Sequence, residues 1–280
     1  MRPAQWTKNL VVFAALIFSQ NLFHTEYLLK TLAAFFGFCG AAGSVYIMND
    51  IVDLRKDKEH PVNSKRPLAS GDLSITAAAI SGTIVFSISL LTSYALSFSF
   101  GFVILTYIIL NILYTLKLKK IVILDIFAIA SGFALRVLGG AFAIDVLISN
   151  WLLVCTVLLS LFLAMGKRRA ELILLNDQAP LHRSTLAEYS PELLDQMISI
   201  VTSATVVSYT LYTLSQETVA KFHTTNLKYT IPFVLYGIFR YLYLIYHGKE
   251  GGQPERILFT DIPLLIDILL YSILAGIILY

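Results

Sequence analysis

Charged residues and cysteines are both scarce in this sequence. Asp, Glu, Lys and Arg make up only 14% of the 280 residues, and 57% are hydrophobic; a soluble domain carries roughly 25% charged residues. Because the shortage extends over the whole length, it excludes an ordinary soluble protein and indicates an integral membrane protein. The two cysteines, Cys39 and Cys155, lie in apolar segments without a disulfide or metal-binding spacing, so we interpret them as packing residues.

The patterns of several other protein classes are also missing. No series of alternating ten-residue strands indicates a membrane barrel, and no small-residue cleavage site follows the basic start "MRPAQWTKNLVVF". No glycine-rich phosphate loop, Ser/His/Asp triad or nucleic-acid-binding module stands out. We therefore expect no nucleic acid among the partners.

Long apolar segments dominate the chain instead. Most have about the 20 residues that a helix needs to cross a bilayer. We predict a single all-α membrane domain over residues 1–280, with no inserted soluble domain. The nine predicted transmembrane spans are 9–24, 31–54, 73–95, 98–116, 122–144, 150–166, 197–215, 229–247 and 261–280.

The basic residues are distributed unevenly among the segments that connect the predicted spans, here called breaks. Most of the 21 Lys and Arg residues fall in alternate breaks, whereas only Lys30, Lys221 and Lys228 fall in the others. By the positive-inside rule, the N-terminus and the polar loops 55–72 and 167–196 lie in the cytosol, and the C-terminus lies outside. We expect an inner or plasma membrane protein whose cytosolic loops cap a site for an anionic substrate.

Carboxylates cluster at the end of the second predicted span. Asp50, Asp53 and Asp57 are spaced i, i+3, i+7 on one helix face, and Asn49 lies one turn from Asp53. Like charges beside the membrane interior are costly unless a cation neutralises them. Few oxygen ligands, open to solvent, suit Mg²⁺, so we predict all four residues as metal ligands. The alternative is a solvated helix end that is paired with its basic neighbours.

The loop after this helix favours an anion site. Pro61 and Pro67 end the helix and stiffen the backbone around Lys65 and Arg66. Arg forks onto phosphate oxygens and Lys acts as a point charge. The positive-inside rule alone would also explain both cations, but their position beside the acidic face predicts a diphosphate site.

These residues resemble a known family. "NDIVDLRKD" and "HPVNSKRPLASG" are similar to the NDxxDxxxD motif and its continuation in the UbiA superfamily of intramembrane prenyltransferases. Other segments resemble its decaprenyl-phosphate phosphoribosyltransferase branch: "RPAQWTKN" at 2–9, "LDIFAIASGFALRVLGGA" at 124–141, "GKRRAEL" at 166–172 and "PERILFTD" at 254–261. The first motif is specific to the superfamily, and the later segments indicate the branch.

The resemblance implies nine transmembrane helices around a central lateral cavity. Mg²⁺ and phosphoribosyl pyrophosphate (PRPP) would bind at the cytosolic mouth, and a polyprenyl phosphate would enter from the lipid. The implied activity is transfer of the 5-phosphoribosyl group from PRPP to that lipid, with Asp50, Asp53, Arg66 and Lys117 as catalytic residues. By the same analogy Lys8 is a pyrophosphate ligand and the protein forms a homotrimer.

Polar residues inside later spans are further candidates. In the fourth span Tyr107 and Asn111 are expected to bond between helices. Tyr114 and Lys117 lie nearer the cytosolic end and resemble a YxxK pattern that lines the diphosphate site of the superfamily. The aromatic prenyltransferases of the superfamily carry a second Asp-rich motif where this chain reads "MGKRRAELILLND", which favours added anion binding over a second metal cluster. We predict Lys167, Arg168 and Glu171 as substrate-binding residues, with the cations on phosphate and Glu171 positioning Lys167 one turn earlier.

The fifth span carries two ionisable residues, Asp125 and Arg136. They share a helix face but lie about 16 Å apart, so each needs another partner. We predict that Asp125 contacts the ribose or a metal, and that Arg136 contacts the lipid phosphate or a carboxylate of another helix. Gly139 and Gly140, like Gly132, are expected to allow close helix packing.

Two other functions are compatible with the same features. A prenyltransferase that moves a prenyl group from its diphosphate to an aromatic acceptor would use the acidic face equally well. A transporter or channel is disfavoured because the charges collect at one membrane face rather than at the midplane.

Overall fold

The computed structural model describes residues 3–59, 63–175, 184–247, 257 and 260–280, and within them helices are the only regular secondary structure. The α-helices are α1 (Phe13–Phe18), α2 (Thr25–Val52), α3 (Leu54–Glu59), α4 (Pro67–Ser70), α5 (Ile75–Leu96), α6 (Phe98–Leu116), α7 (Leu124–Ala143), α8 (Asn150–Leu175), α9 (Pro191–Leu214), α10 (Gln216–Phe222), α11 (Ile231–His247) and α12 (Ile262–Leu279). Short 3₁₀ helices are Pro3–Val12, Asn63–Lys65, Leu118–Lys120, Ser184–Ala187 and Asn226–Thr230. The all-α prediction is confirmed.

Among the described residues, seven helices are long and apolar enough to cross a membrane, namely α2, α5, α6, α7, α8, α9 and α12. The remaining two predicted spans correspond to shorter apolar helices, Gln5–Phe18 and the 17-residue α11. Seventeen residues is near the lower limit for a span, roughly 17–25. An integral membrane protein is therefore confirmed, whereas the count of nine is not confirmed within the described part of the chain.

The chain forms two compact units, of which the first comprises Met1–Leu116 and Leu135–Leu147. Within it α2 and α5 pack closely because small residues face each other. The hydroxyl of Ser89 donates to the backbone carbonyl of Gly37 over 2.7 Å, and a Cβ on Gly40 would lie 3.1 Å from that of Ser89. Small residues of this kind let membrane helices approach and hydrogen-bond.

Two glycines in the last turns of α7 allow close packing in the first unit. A Cβ on Gly139 would lie 2.5 Å from the ring of Phe38, and one on Gly140 would lie 2.1 Å from the carbonyl oxygen of Val12. Any larger residue would push helix backbones apart. The packing role predicted for these two glycines is confirmed.

The second unit comprises Lys117–Ala134 and Ile148–Tyr280. Its core includes Phe162, Leu194 and Tyr241, all at most 3% exposed. Helices α8 and α9 form much of this core, together with the start of α7 and parts of α11 and α12. The prediction of one domain over the whole chain stays a prediction.

Local sequence signals set where two helices of the second unit begin. The hydroxyl of Ser190 accepts a hydrogen bond from the backbone N–H of Leu193 at the start of α9. Asp261 accepts one from Leu264 at the start of α12. Ser and Asp are preferred at the N-cap, the residue just before a helix, because their side chains accept hydrogen bonds from N–H groups that lack a helical partner.

Candidate active site

Helical hydrogen bonding continues past the last residue of α2, although Asp53 itself leaves helical dihedral angles, with φ −92° and ψ 9°. Asp53 follows α2 and donates its backbone N–H to the carbonyl of Asn49 over 2.9 Å, and Asp57 donates to the carbonyl of Asp53 over 2.9 Å. Asn49, Asp50 and Asp53 are half-buried, and Asp57 is 5% exposed. The alignment of all four residues along one face stays a prediction.

Arg66 connects the acidic helix end to the following loop. Its Nη1 lies 3.3 Å from Oδ1 of Asp50 and 2.5 Å from Oδ2 of Asp57. Its Nη2 donates to the amide oxygen of Asn63 over 2.8 Å, and Asn63 in turn donates to Asp57. Arg66 precedes Pro67 in extended backbone, as the proline requires. Sequence reasoning placed Arg66 beside the carboxylates but missed Asn63.

Asn49 has a partner that the sequence analysis did not identify. The hydroxyl of Thr115, which is 3% exposed, lies 2.5 Å from Oδ1 of Asn49 and 2.8 Å from the carbonyl of Asn111. Asn111 donates its side-chain amide to the carbonyl of Tyr107. The sequence signal that could have pointed to Thr115 is its spacing from Asn111, one helical turn away on the same polar face.

The remaining predicted diphosphate contacts differ in exposure. Lys65 is exposed on the turn before Arg66, and Lys8 is half-buried in the N-terminal 3₁₀ helix. Tyr114 is half-buried near the end of α6. Lys117 is exposed and belongs to the second unit. Their roles in substrate binding stay predictions.

The four predicted metal ligands suit Mg²⁺ by chemistry. Asp50, Asp53 and Asp57 supply carboxylate oxygens, which Mg²⁺ prefers, and two of them already share one cation, the guanidinium of Arg66. Across the described ranges no group of three or more His, Cys, Asp or Glu side chains is arranged to hold a metal ion. Metal binding by Asn49, Asp50, Asp53 and Asp57 therefore stays a prediction.

Arg136 lies in a buried polar network of the first unit. Its Nε donates to Oδ1 of Asn9 over 2.7 Å, and its Nη2 donates to the hydroxyl of Tyr107 over 2.8 Å. Asn9 also donates to the sulfur of Cys39. Arg136 is 6% exposed and Asn9 is fully buried. Arg136 thus has partners other than Asp125, namely an amide and a phenol that sequence spacing did not reveal. The predicted contact with the lipid phosphate or with a carboxylate of another helix stays a prediction.

Asp125 lies in a second charged cluster, in the second unit. Its Oδ2 is 3.2 Å from Nε of Arg168, and the Nη1 of Arg168 contacts Oε2 of Glu171. Asp125 is fully buried and Arg168 is 3% exposed, while half-buried Lys167 precedes Arg168 on α8. The structure thus pairs Asp125 with Arg168, which in turn contacts Glu171, so Asp125 meets its need for a partner through a predicted phosphate-binding residue.

Tyr189 completes this cluster. Its hydroxyl donates to Oδ1 of Asp125 over 2.8 Å and accepts from the backbone N–H of Ile123 over 2.7 Å. Burial raises the pKa of Tyr189, so the phenol stays protonated at neutral pH. The sequence carries no spacing that links Tyr189 to Asp125, which lies 64 residues earlier.

The next residue on α8, Arg169, is held in a similar way. Its Nε lies 2.5 Å from Oδ1 of Asp195, and its guanidinium lies 3.9 Å from the ring centre of Tyr246. The hydroxyl of Tyr246 donates to Asp195 over 2.8 Å. Two of the three consecutive cations of "GKRRAEL", Arg168 and Arg169, are therefore buried and paired with carboxylates. The positive-inside rule does not require such pairing, so topology alone does not explain these two residues.

Comparison with known proteins extends over most of the chain. The sequence profile of the UbiA prenyltransferase family matches residues 10–259. The decaprenyl-phosphate phosphoribosyltransferase of Mycolicibacterium smegmatis is 32% identical over 93% of this chain and 85% of that protein. The protein of the same name from Corynebacterium glutamicum is 31% identical over 93% of this chain and 80% of its own length.

A solved structure has the same fold. The UbiA homologue of Archaeoglobus fulgidus bound to DMAPP and Mg²⁺ matches with a TM-score of 0.74 at 18% identity, covering 99% of this chain and 96% of that one. The all-helical fold, the acidic helix end and the family match over residues 10–259 all indicate the same family. The chain belongs to the UbiA prenyltransferase family.

Proposed function

We propose that this protein is a membrane transferase that moves the 5-phosphoribosyl group from PRPP to a polyprenyl phosphate similar to decaprenyl phosphate. The observation that carries this assignment is the 32% identity, over 93% of the chain, to a decaprenyl-phosphate phosphoribosyltransferase. The paired charges at Asp50, Asp57 and Arg66 supply chemistry suited to a diphosphate donor.

The reaction is a substitution at the anomeric carbon of the ribose. An oxygen of the lipid phosphate forms the new bond to this carbon, while the bond from the carbon to the pyrophosphate oxygen breaks. Pyrophosphate leaves with the electron pair. Because the acceptor oxygen is already anionic, no strong general base is needed, and the main requirement is to stabilise charge on the leaving group.

The acidic helix end would hold the metal. Asp50 and Asp53, with Asn49 and Asp57, are the ligands that we propose for Mg²⁺. When bound, the ion neutralises charge on the departing diphosphate. Thr115, whose hydroxyl lies 2.5 Å from the amide oxygen of Asn49, would orient Asn49 for this task.

Arg66 is the proposed phosphate-binding residue with the most described contacts. Its contacts with Asp50, Asp57 and Asn63 fix the guanidinium beside the proposed ligands. A guanidinium held in this way offers its other N–H groups to phosphate oxygens in a defined direction. Lys65 adds an exposed positive charge on the same loop.

Other predicted contacts are retained as proposals. Lys8, Tyr114 and Lys117 would contact the diphosphate, and Lys167 and Arg168 would add positive charge. We also propose that the N-terminus and the catalytic residues face the cytosol of a cell whose plasma or inner membrane holds the protein, with the C-terminus outside. A homotrimer is proposed by analogy with the family.

A single assay tests the proposal. The purified full-length protein in detergent receives Mg²⁺, PRPP and a short polyprenyl phosphate, and mass spectrometry follows the lipid. We expect a lipid product heavier by one phosphoribosyl group, and no product when EDTA is added or when Asp50 is replaced by Asn. Transfer of a prenyl group from its diphosphate to an aromatic acceptor, without use of PRPP, would instead establish the alternative enzyme. Ion flux through liposomes without any transfer would establish a transporter.

A further inference from the structure

The hydroxyl of Thr115 lies close to two oxygen atoms of the first unit. Oδ1 of Asn49 is 2.5 Å away, and the backbone carbonyl oxygen of Asn111 is 2.8 Å away. A hydroxyl carries one proton, so it cannot make two full hydrogen bonds as a donor. Two oxygen atoms at such a distance without a proton between them repel each other. A second proton must therefore come from one of the two neighbours.

Asn49 is the neighbour that can supply this proton. The backbone carbonyl of Asn111 only accepts hydrogen bonds, whereas the side-chain amide of Asn49 carries two N–H groups on Nδ2. When an amide turns by 180°, its oxygen and nitrogen exchange places within almost the same shape. With Nδ2 towards Thr115, Asn49 donates to the hydroxyl and the hydroxyl donates to Asn111. Each contact then has its own proton.

Two other threonines of the first unit show where the hydroxyl proton goes. The hydroxyls of Thr31 and Thr106 each donate to the backbone carbonyl four residues earlier, over 2.8 and 2.9 Å. Thr115 has the same spacing from Asn111, and this bond depends on one helix alone. Thr115 is also 3% exposed, so its hydroxyl needs a protein partner for its lone pairs. The hydroxyl therefore donates within α6 and accepts from Asn49.

We infer that Thr115 is a positioning residue that turns the amide nitrogen of Asn49 towards α6 and thereby leaves the amide oxygen available to a cation. This inference rests on the proposed function, in which Asn49 is a ligand of Mg²⁺. Mg²⁺ binds oxygen ligands, whereas the N–H groups of an amide are donors that repel a cation. Residues that orient metal ligands through hydrogen bonds typically contribute roughly 10- to 100-fold to metal affinity.

Binding of Mn²⁺, a spectroscopic substitute for Mg²⁺, tests the inference without turnover. Electron paramagnetic resonance measures free Mn²⁺ as it is titrated into the full-length protein in detergent. Thr115→Val keeps the shape of the side chain but removes the hydroxyl, and we expect Kd for Mn²⁺ to rise about tenfold. Thr115→Ala also lacks the hydroxyl, adds no methyl group, and should show the same loss. Thr115→Ser keeps the hydroxyl and should bind within about twofold of the wild type.

A second background separates amide orientation from a general effect on the fold. Both terminal atoms of an aspartate side chain are oxygen, so Asn49→Asp offers an oxygen whichever way the group turns. In this background, Thr115→Val should change Kd for Mn²⁺ by no more than about twofold. A general disturbance of α6 would instead weaken binding by the same factor in both backgrounds.

Thr106→Val is the matched control, because it removes a hydroxyl with the same kind of intrahelical bond from the same helix. We expect its Kd for Mn²⁺ to equal that of the wild type. The inference is overturned if Thr115→Val binds as tightly as the wild type, if it loses affinity equally in both backgrounds, or if Thr106→Val shows the same loss. A wild type that binds no Mn²⁺ refutes the proposed metal site and this inference with it. A wild type that binds Mn²⁺ but does not use PRPP refutes only the proposed reaction.

Discussion

The guanidinium of Arg66 lies 2.5 Å from the carboxylate of Asp57. The two residues belong to consecutive segments of the first unit, and their pairing attaches the loop to the helix end. The side chain of Asp57 is 6% exposed and that of Arg66 is 28% exposed. A buried carboxylate that loses its cation is costly, so this pair stabilises the local fold in addition to any role in substrate binding.

Replacing Arg66 should therefore affect both stability and activity. For Arg66→Ala we expect the free energy of unfolding to fall by about 1.5–3 kcal/mol and KM for PRPP to rise more than KM for the lipid. Lys65→Ala, on the exposed neighbour, should raise KM for PRPP without lowering Tm. Thermal unfolding in detergent and substrate titrations measure these effects. Equal losses for both substrates in both variants would show that the loop only maintains the fold.

The acidic helix end should be essential for turnover. We expect Asp50→Ala and Asp53→Ala to reduce kcat by at least about a hundredfold at saturating Mg²⁺, because charge on the leaving group would no longer be neutralised. Asp72→Ala is the matched control, since Asp72 is an exposed carboxylate nearby whose described hydrogen bond is with Ser70. Size-exclusion chromatography shows whether each variant is folded. Near-normal turnover in both variants would remove these carboxylates from the mechanism.

The buried pair of Asn9 and Arg136 should be coupled energetically. Arg136→Ala leaves the amide oxygen of Asn9 and the hydroxyl of Tyr107 without this donor in a buried site. We expect Asn9→Ala and Arg136→Ala each to lower the free energy of unfolding by about 1–3 kcal/mol. The loss in the double variant should be smaller than the sum of the two single losses. A double-mutant cycle on thermal unfolding in detergent measures this coupling. Strict additivity would contradict a direct interaction, and a stable Arg136→Ala variant with selective loss of acceptor use would favour the lipid-binding role.

Acid should weaken the ion pair between Arg240 and Asp261. The Nε and Nη2 of Arg240 donate to the two oxygens of Asp261, which holds the pKa of Asp261 below its ordinary value of 3.8. A lowered folded-state pKa contributes stability above the unfolded-state pKa, and this contribution is lost as the pH falls through the folded-state value.

The pH dependence can be isolated with one conservative variant. Asp261→Asn keeps a side chain that can cap α12 through the N–H of Leu264 but removes the charge. Between pH 7 and pH 3, we expect Tm of the wild type to fall further than Tm of this variant. Identical pH profiles for the two proteins would show that Arg240 does not stabilise the charged form of Asp261.

Much of the architecture follows from local patterns in the sequence. Apolar segments of about 20 residues predicted the membrane helices, because each helix satisfies its own backbone hydrogen bonds in lipid. The two shorter helices near the ends of the chain show the limit of this reasoning, since length alone does not establish a span. The aspartate spacing at Asp50, Asp53 and Asp57 and the neighbouring Arg66 were also readable, because they depend on one helix and one loop.

The sequence by itself thus determined the membrane class, the helical fold, the family and the main charged residues. The tertiary structure alone decided which partners these residues have: Thr115 for Asn49, Asn9 for Arg136, and Tyr189 with Arg168 for Asp125. These pairs are separated by 43 to 127 residues. Helical periodicity extends only over a few turns, whereas contacts between helices depend on how their faces pack, and no local pattern encodes that arrangement.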